Sequence, residues 1–405
     1  MAAPSGAAIR LFKEIYRVSV TLQLMKIATI GQGYVGRSIA QAAVDAGHSV
    51  VGFDTNSDAI SSLKISGDFK GTTNATLIGD AEVIVIAVPT PLDGARKPDL
   101  SAVHAASKTI IENVKKSVLV INESTSYPGT LRNEIAAVIE KASGLGHLYA
   151  SSPERVDPGN EKWTQKNTPR LVAGLTPEAT KLARKFYSSF CDEIIEVSTP
   201  EVAEAAKLFE NTFRQVNIAL VNEFAQISDA LDIPTREVLD AAATKPFGFM
   251  SFQPGPGVGG HCIPVDPSYL AYVAENVGVP AEFIKRANQV NLGMPAYIVS
   301  RVAKEVGSLK GKNAVVIGVS YKANISDTRE APAALVIDEL KKLGAEVSWH
   351  DPLVGTWNGQ KSSELKGFDV AIVVTKHDVV SETAIKASAP YVFDCTGSIE
   401  GVAGL

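Results

Sequence analysis

The sequence predicts an α/β protein with two doubly wound parallel sheets joined by a long central helix. Three observations carry that expectation. Short apolar runs alternate with helical patterns from Met25 onward, which favours a parallel sheet covered on both faces. The same strand-then-glycine opening returns at residue 312. Between the two, neither Gly nor Pro occurs from Glu201 until Pro234, a stretch longer than an ordinary globular helix.

The elements follow in order. Residues 1–24 place Arg10, Lys13 and Arg17 among apolar positions, so they lack the clean apolar centre of a secretory signal. They read as an N-terminal extension or an upstream start codon, with a membrane-contacting helix as the other reading. KIATI (Lys26–Ile30) is the first strand and GQGYVG follows it at 31–36. A helix is expected over 37–46, stopped by Gly47. Ser49–Phe53 is the second strand and ends at Asp54. AEVIVIAV (81–88) and VLVINE (118–123) are further buried strands, broken by PTPL and STSYP. Ser198 is the expected cap of the long helix, with Pro200 in its first turn and Glu201 three residues on. At 1.5 Å per residue that helix spans roughly 45 Å, enough to link two domains and offer a dimer surface. In the last third, KNAVVIG (312–318) echoes 26–31 and GAEVSWHD (344–351) echoes 47–54, while 368–374 and Tyr391–Asp394 supply more strands. This second copy has GVSY in place of the full glycine set, so it is expected to hold something other than a dinucleotide. The expected boundaries are 1–24, 25–197, 198–308 and 309–405.

Composition narrows the class. Of 405 residues 45% are hydrophobic and 20% charged, which supports sizeable cores and excludes a disordered chain. Lys and Arg number 39 against 44 Asp and Glu, a net charge of −5, with no basic face to suggest a nucleic-acid partner. No apolar stretch approaches the ~20 residues of a membrane span. Cys191, Cys262 and Cys395 cannot all pair and suit a reducing cytoplasm.

Three motifs carry chemistry. The glycines of GQGYVG follow a strand, open a helix and precede an acid at the end of the next strand, the context of a dinucleotide site. Gly31 permits the tight turn, Gly33 lets backbone approach a pyrophosphate, and Gly36 lets helix and strand close up. The helix N-terminus adds free N–H groups. Asp54 can hydrogen-bond both ribose hydroxyls and would repel a 2′-phosphate, which favours NAD over NADP. The second motif is GPGVGGHCIPVD (255–266): Gly255, Gly257, Gly259 and Gly260 allow close approach to a ligand, and Cys262 stands at the loop's end with Asp266 four residues later. Cys262 can be a nucleophile, an inert buried thiol, or, with His261, half of a zinc site whose second ligand pair is missing from the sequence. The third motif is on the long helix. Lys207 and Asn211 share a face that Arg214 and Gln215 continue; it is either a solvated stripe or one wall of an enclosed site.

Together, GQGYVG, VPTPL, ESTSYPGT, SPERVDPGN, AAKLFENTFRQVNIALVNE, KPFGFMSFQPGPGVGGHCIPVDPSYL and GVSYKANISDTREAPA strongly resemble the UDP-glucose/GDP-mannose (nucleotide-sugar) 6-dehydrogenase family. SPER…PG with KPFGFM…PGPGVGGHC is most similar to the branch acting on UDP-N-acetylglucosamine. The resemblance covers nearly the whole chain after residue 24. It implies two Rossmann-like doubly wound domains around the central helix, a cytoplasmic homodimer or multiple of it, and a role in polysaccharide precursor supply. It also implies four-electron oxidation of a sugar C6 alcohol by two NAD+ in succession. In that scheme Cys262 is the nucleophile, forming a thiohemiacetal and then a thioester. Lys207 and Asn211 sit at O6, and Lys207 lowers the thiol pKa. Asp266, Glu154 and Thr125 attend the hydrolytic water. Gly31, Gly33, Tyr34, Val35, Gly36, Asp54, Val88, Pro89, Thr90, Ser124 and Arg329 match cofactor positions. Arg155, Arg214, Gln253, Gly255, Gly257, Gly259, Tyr321 and Lys322 match positions on the UDP-sugar.

Two departures stand out. Pro158 replaces a second Glu found in UDP-glucose members. DCTG (394–397) stands where some members carry an arginine, and no arginine follows Arg329. Other readings remain: UDP-N-acetylgalactosamine, UDP-N-acetylmannosamine, UDP-glucose or GDP-mannose as substrate, a two-electron hydroxyacid dehydrogenase of the same layout, or a non-catalytic nucleotide-sugar-binding protein.

Overall fold

A computed structural model describes residues 24–156, 160 and 162–405; most of the expected N-terminal extension, and Pro158, lie outside the described residues. Eight strands form the first sheet: β1 (Lys26–Ile30), β2 (Ser49–Phe53), β3 (Phe69–Thr72), β4 (Val83–Ile86), β5 (Leu119–Asn122), β6 (Leu148–Ser151), β7 (Arg170–Gly174) and β8 (Ile194–Glu196). Their order is β3-β2-β1-β4-β5-β6-β7-β8, parallel except for the antiparallel β6–β7 pair. Strand order reverses between β1 and β4, which places a ligand crevice at their carboxyl ends. The strands β4 and β5 are shorter than their apolar runs, although flanking residues still bond to neighbouring strands: Ala87 N–H donates to the Ile30 oxygen at 2.8 Å and Glu123 N–H to the Ile86 oxygen at 2.9 Å.

The helices of this section are α1 (Tyr34–Asp45), α2 (Ser57–Ser61), α3 (Ser101–Asn113), a π-helix at Leu131–Ala136 running into α4 (Ala137–Ser143), and α5 (Pro177–Tyr187). Strand alternation buries both faces. Ile27, Val83, Val85, Leu119 and Ile121 pack with Ile39 of α1 and Phe186 of α5. Ala28, Ile84, Ile86 and Val120 pack with Val103 and Ile110 of α3. Helix α1 starts three residues before the expected position, since Gly33 already adopts the extended cap conformation (φ −69°, ψ −164°).

Helix α6 (Pro200–Ala230) has 31 residues. Its cap is Thr199 rather than Ser198: the Thr199 side chain accepts from the Val202 N–H. Pro200, lacking an N–H, belongs at the first helical position, so the cap is the residue before it. Glu204 of α6 ties this helix to the first sheet's layer, accepting the Gly129 and Leu131 N–H groups at 2.7 and 3.0 Å. Helix α7 (Thr235–Ala243) follows, then α8 (Asp266–Asn276) and α9 (Glu282–Val306), and both α8 and α9 pack along α6. A stripe of α6 stays exposed: Val202, Phe209, Phe213, Leu220 and Ile227, continued by Leu231. Steps of seven and four residues are the spacing of a helix that packs on another helix.

The second sheet comprises β9 (Asn313–Ile317) and β10 (Glu346–His350), followed, after the small hairpin β11 (Thr356–Trp357) and β12 (Gln360–Lys361), by β13 (Val370–Val373), β14 (Tyr391–Asp394) and β15 (Ala403–Gly404). Its order is β10-β9-β13-β14-β15, all parallel, with α10 (Pro332–Lys342) and α11 (Glu382–Ser388) against it. The echo seen in the sequence is a repeat in register. Gly31 and Gly318 donate to Phe53 and His350 carbonyls, each at 2.8 Å. The N–H groups of Gln32 and Val319, next along, donate to Asp54 and Asp351 at 2.7 and 2.9 Å.

Candidate active site

The turn after β1 leaves room where a phosphate would approach and none elsewhere. Gly31 has φ +91°, and a Cβ there would lie 2.3 Å from the Ala87 carbonyl oxygen. A Cβ on Gly36 would lie 1.8 Å from the Gly31 oxygen, whereas one on Gly33 meets nothing within 4 Å. Asp54 Oδ2 faces this turn, accepting from Gln32 N–H (2.7 Å), while Oδ1 accepts from Asn56 N–H (2.8 Å) just after it. Val35 is half-buried and Tyr34 exposed beside them. Ser124 staples the opposite lip: its hydroxyl accepts from the Val88 N–H and donates to the Val88 oxygen, both at 2.9 Å. Pro89 is exposed, Thr90 buried and Thr125 half-buried along that lip. An open glycine backbone at a helix N-terminus, with an acid at the next strand's end, fits a dinucleotide. Gly36→Ala is expected to cost about 1–3 kcal/mol by overpacking and to weaken NAD binding, checked by thermal melting with and without NAD.

Residues far apart in sequence converge beside that crevice, where the Tyr269 hydroxyl of α8 donates to the Pro91 oxygen at 3.1 Å. Lys207 of α6 is 8% exposed, and Asp266 at the start of α8 is 1% exposed. Asn211, one turn along from Lys207, donates its amide to Asp266 Oδ2. Cys262, half-buried, ends the glycine loop, and its carbonyl accepts the Asp266 N–H at 2.8 Å. Burial pushes the thiol of Cys262 above its ordinary value; Lys207 and Arg329 pull it down, Asp266 and Glu154 push it up. The expectation that Lys207 leaves the thiol acidified is therefore corrected: Lys207 acts in that direction, but desolvation outweighs it. Burial likewise raises Asp266 to about 6 against the pull of Lys207 and Asn211. Among the described residues, Lys207 makes neither a hydrogen bond nor an ion pair. A buried ammonium among carboxylates with its donors unspent can serve an incoming oxygen. No three His, Cys, Asp or Glu side chains gather as a metal site among the described residues.

Glu154 is close enough to act on both Cys262 and Lys207. Its Oε1 accepts the Arg155 and Val156 N–H groups at 2.6 and 2.7 Å; its Oε2 accepts from Gln165 and, at 3.1 Å, from Arg170. Burial would raise its pKa, but Arg170, Gln165, the Val156 N–H and Lys207 outweigh it and hold the carboxyl below its ordinary value. Sequence reasoning missed Arg170, which also pairs with Glu123 at 3.1 Å. Burial raises Glu123 to about 7 despite that partner.

The expected substrate residues divide. Gly255 is held by Asn222 of α6, whose side-chain oxygen accepts its N–H at 2.9 Å, and Asn222 donates to Asn291 of α9 at 3.0 Å. Tyr321 presses on the same loop: a Cβ on Gly259 or Gly260 would lie 2.8 Å from it. Gly257 backs onto Asn291, whose oxygen would lie 2.9 Å from an added Cβ. Lys322 is half-buried beside Tyr321. Arg155 instead binds Glu210 (2.6 Å) and the Pro169 oxygen (2.7 Å). Arg214 is exposed and, among the described residues, forms no ion pair. Arg329 is tied to Asp327 at 2.5 Å, while its backbone oxygen accepts the Gly260 N–H at 3.1 Å. Gln253 accepts from Arg236 of α7 at 2.8 Å. The Arg236 guanidinium also donates to the Cys395 oxygen at 3.3 Å and fills the space a Cβ of Gly397 would need. The 394–397 loop, which has no arginine of its own, thus receives one from the central section.

Comparisons with known proteins agree with this geometry. Residues 64–191, 201–292 and 315–400 match, respectively, the NAD binding, central and UDP binding domains of the UDP-glucose/GDP-mannose dehydrogenase family. Residues 26–95 also match a model of NADP oxidoreductases, coenzyme F420-dependent. Protein CapL of Staphylococcus aureus is 38% identical, over 87% of this chain and 89% of that one. The UDP-N-acetyl-D-glucosamine 6-dehydrogenase of Pseudomonas aeruginosa is 36% identical, over 82% and 83%. The UDP-D-ManNAc dehydrogenase structure from Pyrococcus horikoshii has a TM-score of 0.85 at 31% identity, covering 94% of this chain and 99% of that one. Among the described residues no helix is long and apolar enough to cross a membrane. With a glycine turn built for NAD and matches across all three sections, the chain belongs to the UDP-glucose/GDP-mannose dehydrogenase family of NAD-dependent oxidoreductases.

Proposed function

We propose that the protein oxidises the C6 alcohol of a UDP-N-acetylhexosamine to the uronate, with Cys262 holding the half-oxidised sugar. The observation that carries this reading is the convergence, beside a dinucleotide crevice, of a thiol, a buried carboxyl and a buried ammonium that among the described residues has no hydrogen-bond or ion-pair partner. UDP-N-acetylglucosamine is the leading sugar, supported by the SPER and KPFGFM motifs and the Pseudomonas relative. UDP-N-acetylmannosamine is the second reading, supported by the Pyrococcus structure and by a relative from Methanococcus maripaludis, 33% identical over 93% of this chain and 94% of that one.

NAD+ at the 31–36 turn supplies the hydride acceptor, two equivalents for each alcohol taken to the acid. The turn's backbone would hold the pyrophosphate and Asp54 the ribose hydroxyls; Val88, Pro89, Thr90 and Ser124 would line the remainder, with Arg329 reaching the cofactor from the third section. Tyr321, Lys322 and the 253–259 backbone hold the UDP. Lys207 and Asn211 take O6, the ammonium stabilising the charge that develops as the hydroxyl proton passes to solvent water and the first hydride leaves C6 to give the aldehyde. The Cys262 sulfur bonds the aldehyde carbon, and its proton ends on the former carbonyl oxygen, giving a thiohemiacetal. Removal of the second hydride and that proton leaves a thioester. Water then adds to the thioester carbonyl and the C–S bond breaks, returning the thiol. Asp266 takes the water's proton, because Glu154 is saturated by four donors whereas the Asp266 side chain, among the described residues, accepts from Asn211 alone. Thr125 orders the water, while Glu154 adds its fixed negative charge to the field around Lys207.

The test is a panel of UDP-sugars and GDP-mannose with NADH counted per sugar consumed. Two equivalents are expected with a UDP-N-acetylhexosamine. One equivalent would indicate a two-electron dehydrogenase, and none from any sugar would overturn the reaction. A second copy of the chain covers the exposed α6 stripe in this reading. Leu220→Glu, at a 65% exposed position, is expected to shift the protein from dimer to monomer in light scattering.

A further inference from the structure

One buried polar cluster in the third section takes no part in the chemistry above. His377, Asp351 and Ser320 are each at most 1% exposed and meet where β9, β10 and β13 end. His377 Nδ1 accepts the Asn324 N–H at 2.8 Å, so the ring proton sits on Nε2. That nitrogen donates to Asp351 Oδ2 at 3.0 Å. The same oxygen accepts the N–H groups of Val319 (2.9 Å) and Ser320 (3.2 Å), and Asp351 Oδ1 accepts that of Leu353 (2.9 Å). Thr375 donates to the Ser320 oxygen at 2.8 Å. The trio is not a hydrolytic triad: the hydroxyl is sealed from solvent, and the nitrogen facing it already carries its proton.

The repeat explains what the cluster is. Asp351 occupies the place of Asp54, at the end of the second strand, and accepts the loop N–H in the same register. Asp54 is half-buried in an open crevice, whereas Asp351 lies beneath His377. The acid that faces a ribose in the first section has become an anchor for its own loop. That loop, 318–324, carries Tyr321 and Lys322. The Tyr321 ring lies against Gly260, two residues from Cys262.

We infer that His377 and Asp351 are positioning residues for the nucleotide end of the substrate. Their hydrogen bonds fix loop 318–324, and with it Tyr321 and Lys322, against the glycine loop that ends at Cys262. The inference rests on the nucleotide-sugar reading above.

The experiment compares the parent protein with His377→Ala and His377→Gln. It measures UDP binding by calorimetry, KM for the UDP-sugar and for NAD, kcat, and thermal melting. Removing the two His377 hydrogen bonds is expected to weaken UDP binding and raise the UDP-sugar KM by about tenfold, with kcat and the NAD KM within about twofold. His377→Gln, which can restore the donor to Asp351, is expected to recover part of the UDP affinity. Should His377→Ala fail to fold, Asp351→Asn must give the same split between KM and kcat. UDP affinity unchanged in folded variants, or NAD and UDP affinities falling together, overturns the positioning role alone. A parent protein that binds no UDP overturns it together with the substrate reading.

Discussion

Cys262→Ala protein is expected to make no uronate. The alcohol can still meet Lys207 and Asn211, so a first hydride can leave, but the aldehyde has no sulfur to capture it. NADH then stops at one equivalent or less per sugar, and carboxylate formation falls by about 10³-fold or more, as when a covalent nucleophile is removed. The side chain is small and half-exposed, so folding is expected to survive, and circular dichroism checks that. Quantifying uronate by chromatography separates this outcome from a general loss of activity. Full turnover in Cys262→Ala would mean that the thiol is a bystander.

Asp266→Asn is expected to slow turnover by about 10²–10⁴-fold, the usual worth of a positioned acid–base group. The pH dependence follows from its environment. Burial holds the carboxyl at about 6; below that pH it is protonated and cannot accept a proton from water. The parent kcat should therefore fall as pH drops through about 6, and the Asn variant should lose that limb. The thiol offers an independent check. Asp266 pushes the Cys262 pKa up and Lys207 pulls it down. The midpoint of iodoacetamide alkylation should move to lower pH in Asp266→Asn and to higher pH in Lys207→Ala. Shifts of the opposite sign would show that the three groups do not share a field.

Much of this was legible in the chain. The GQGYVG turn, β1, β2 and Asp54 are local features, with glycine spacing and apolar runs that only a few backbone paths satisfy. The second sheet was legible because it repeats the first, down to the register of Gly318 and Asp351. The length of α6 followed from its lack of breakers, and only its cap slipped by one residue, from Ser198 to Thr199. What escaped reading depends on topology rather than on local pattern. Arg170 reaches Glu123 and Glu154 because β5 and β6 are neighbours and β7 returns antiparallel beside β6. Asn222 meets Asn291 because α6 and α9 cross their polar positions. His377 meets Asp351 from 26 residues away, across three strand ends. The thiol's raised pKa escaped for a related reason: Lys207 is visible in the sequence, but the desolvation that outweighs it appears only when the loop closes.

The most direct measurement is the mass of the Cys262 peptide from Asp266→Asn protein, given NAD+ and the sugar that yields NADH, then quenched in acid. With hydrolysis slowed, that peptide should carry the acyl mass of the UDP-sugar bound through its sulfur. An unmodified Cys262 under turnover, or the acyl group on any other side chain, would contradict covalent capture by this thiol.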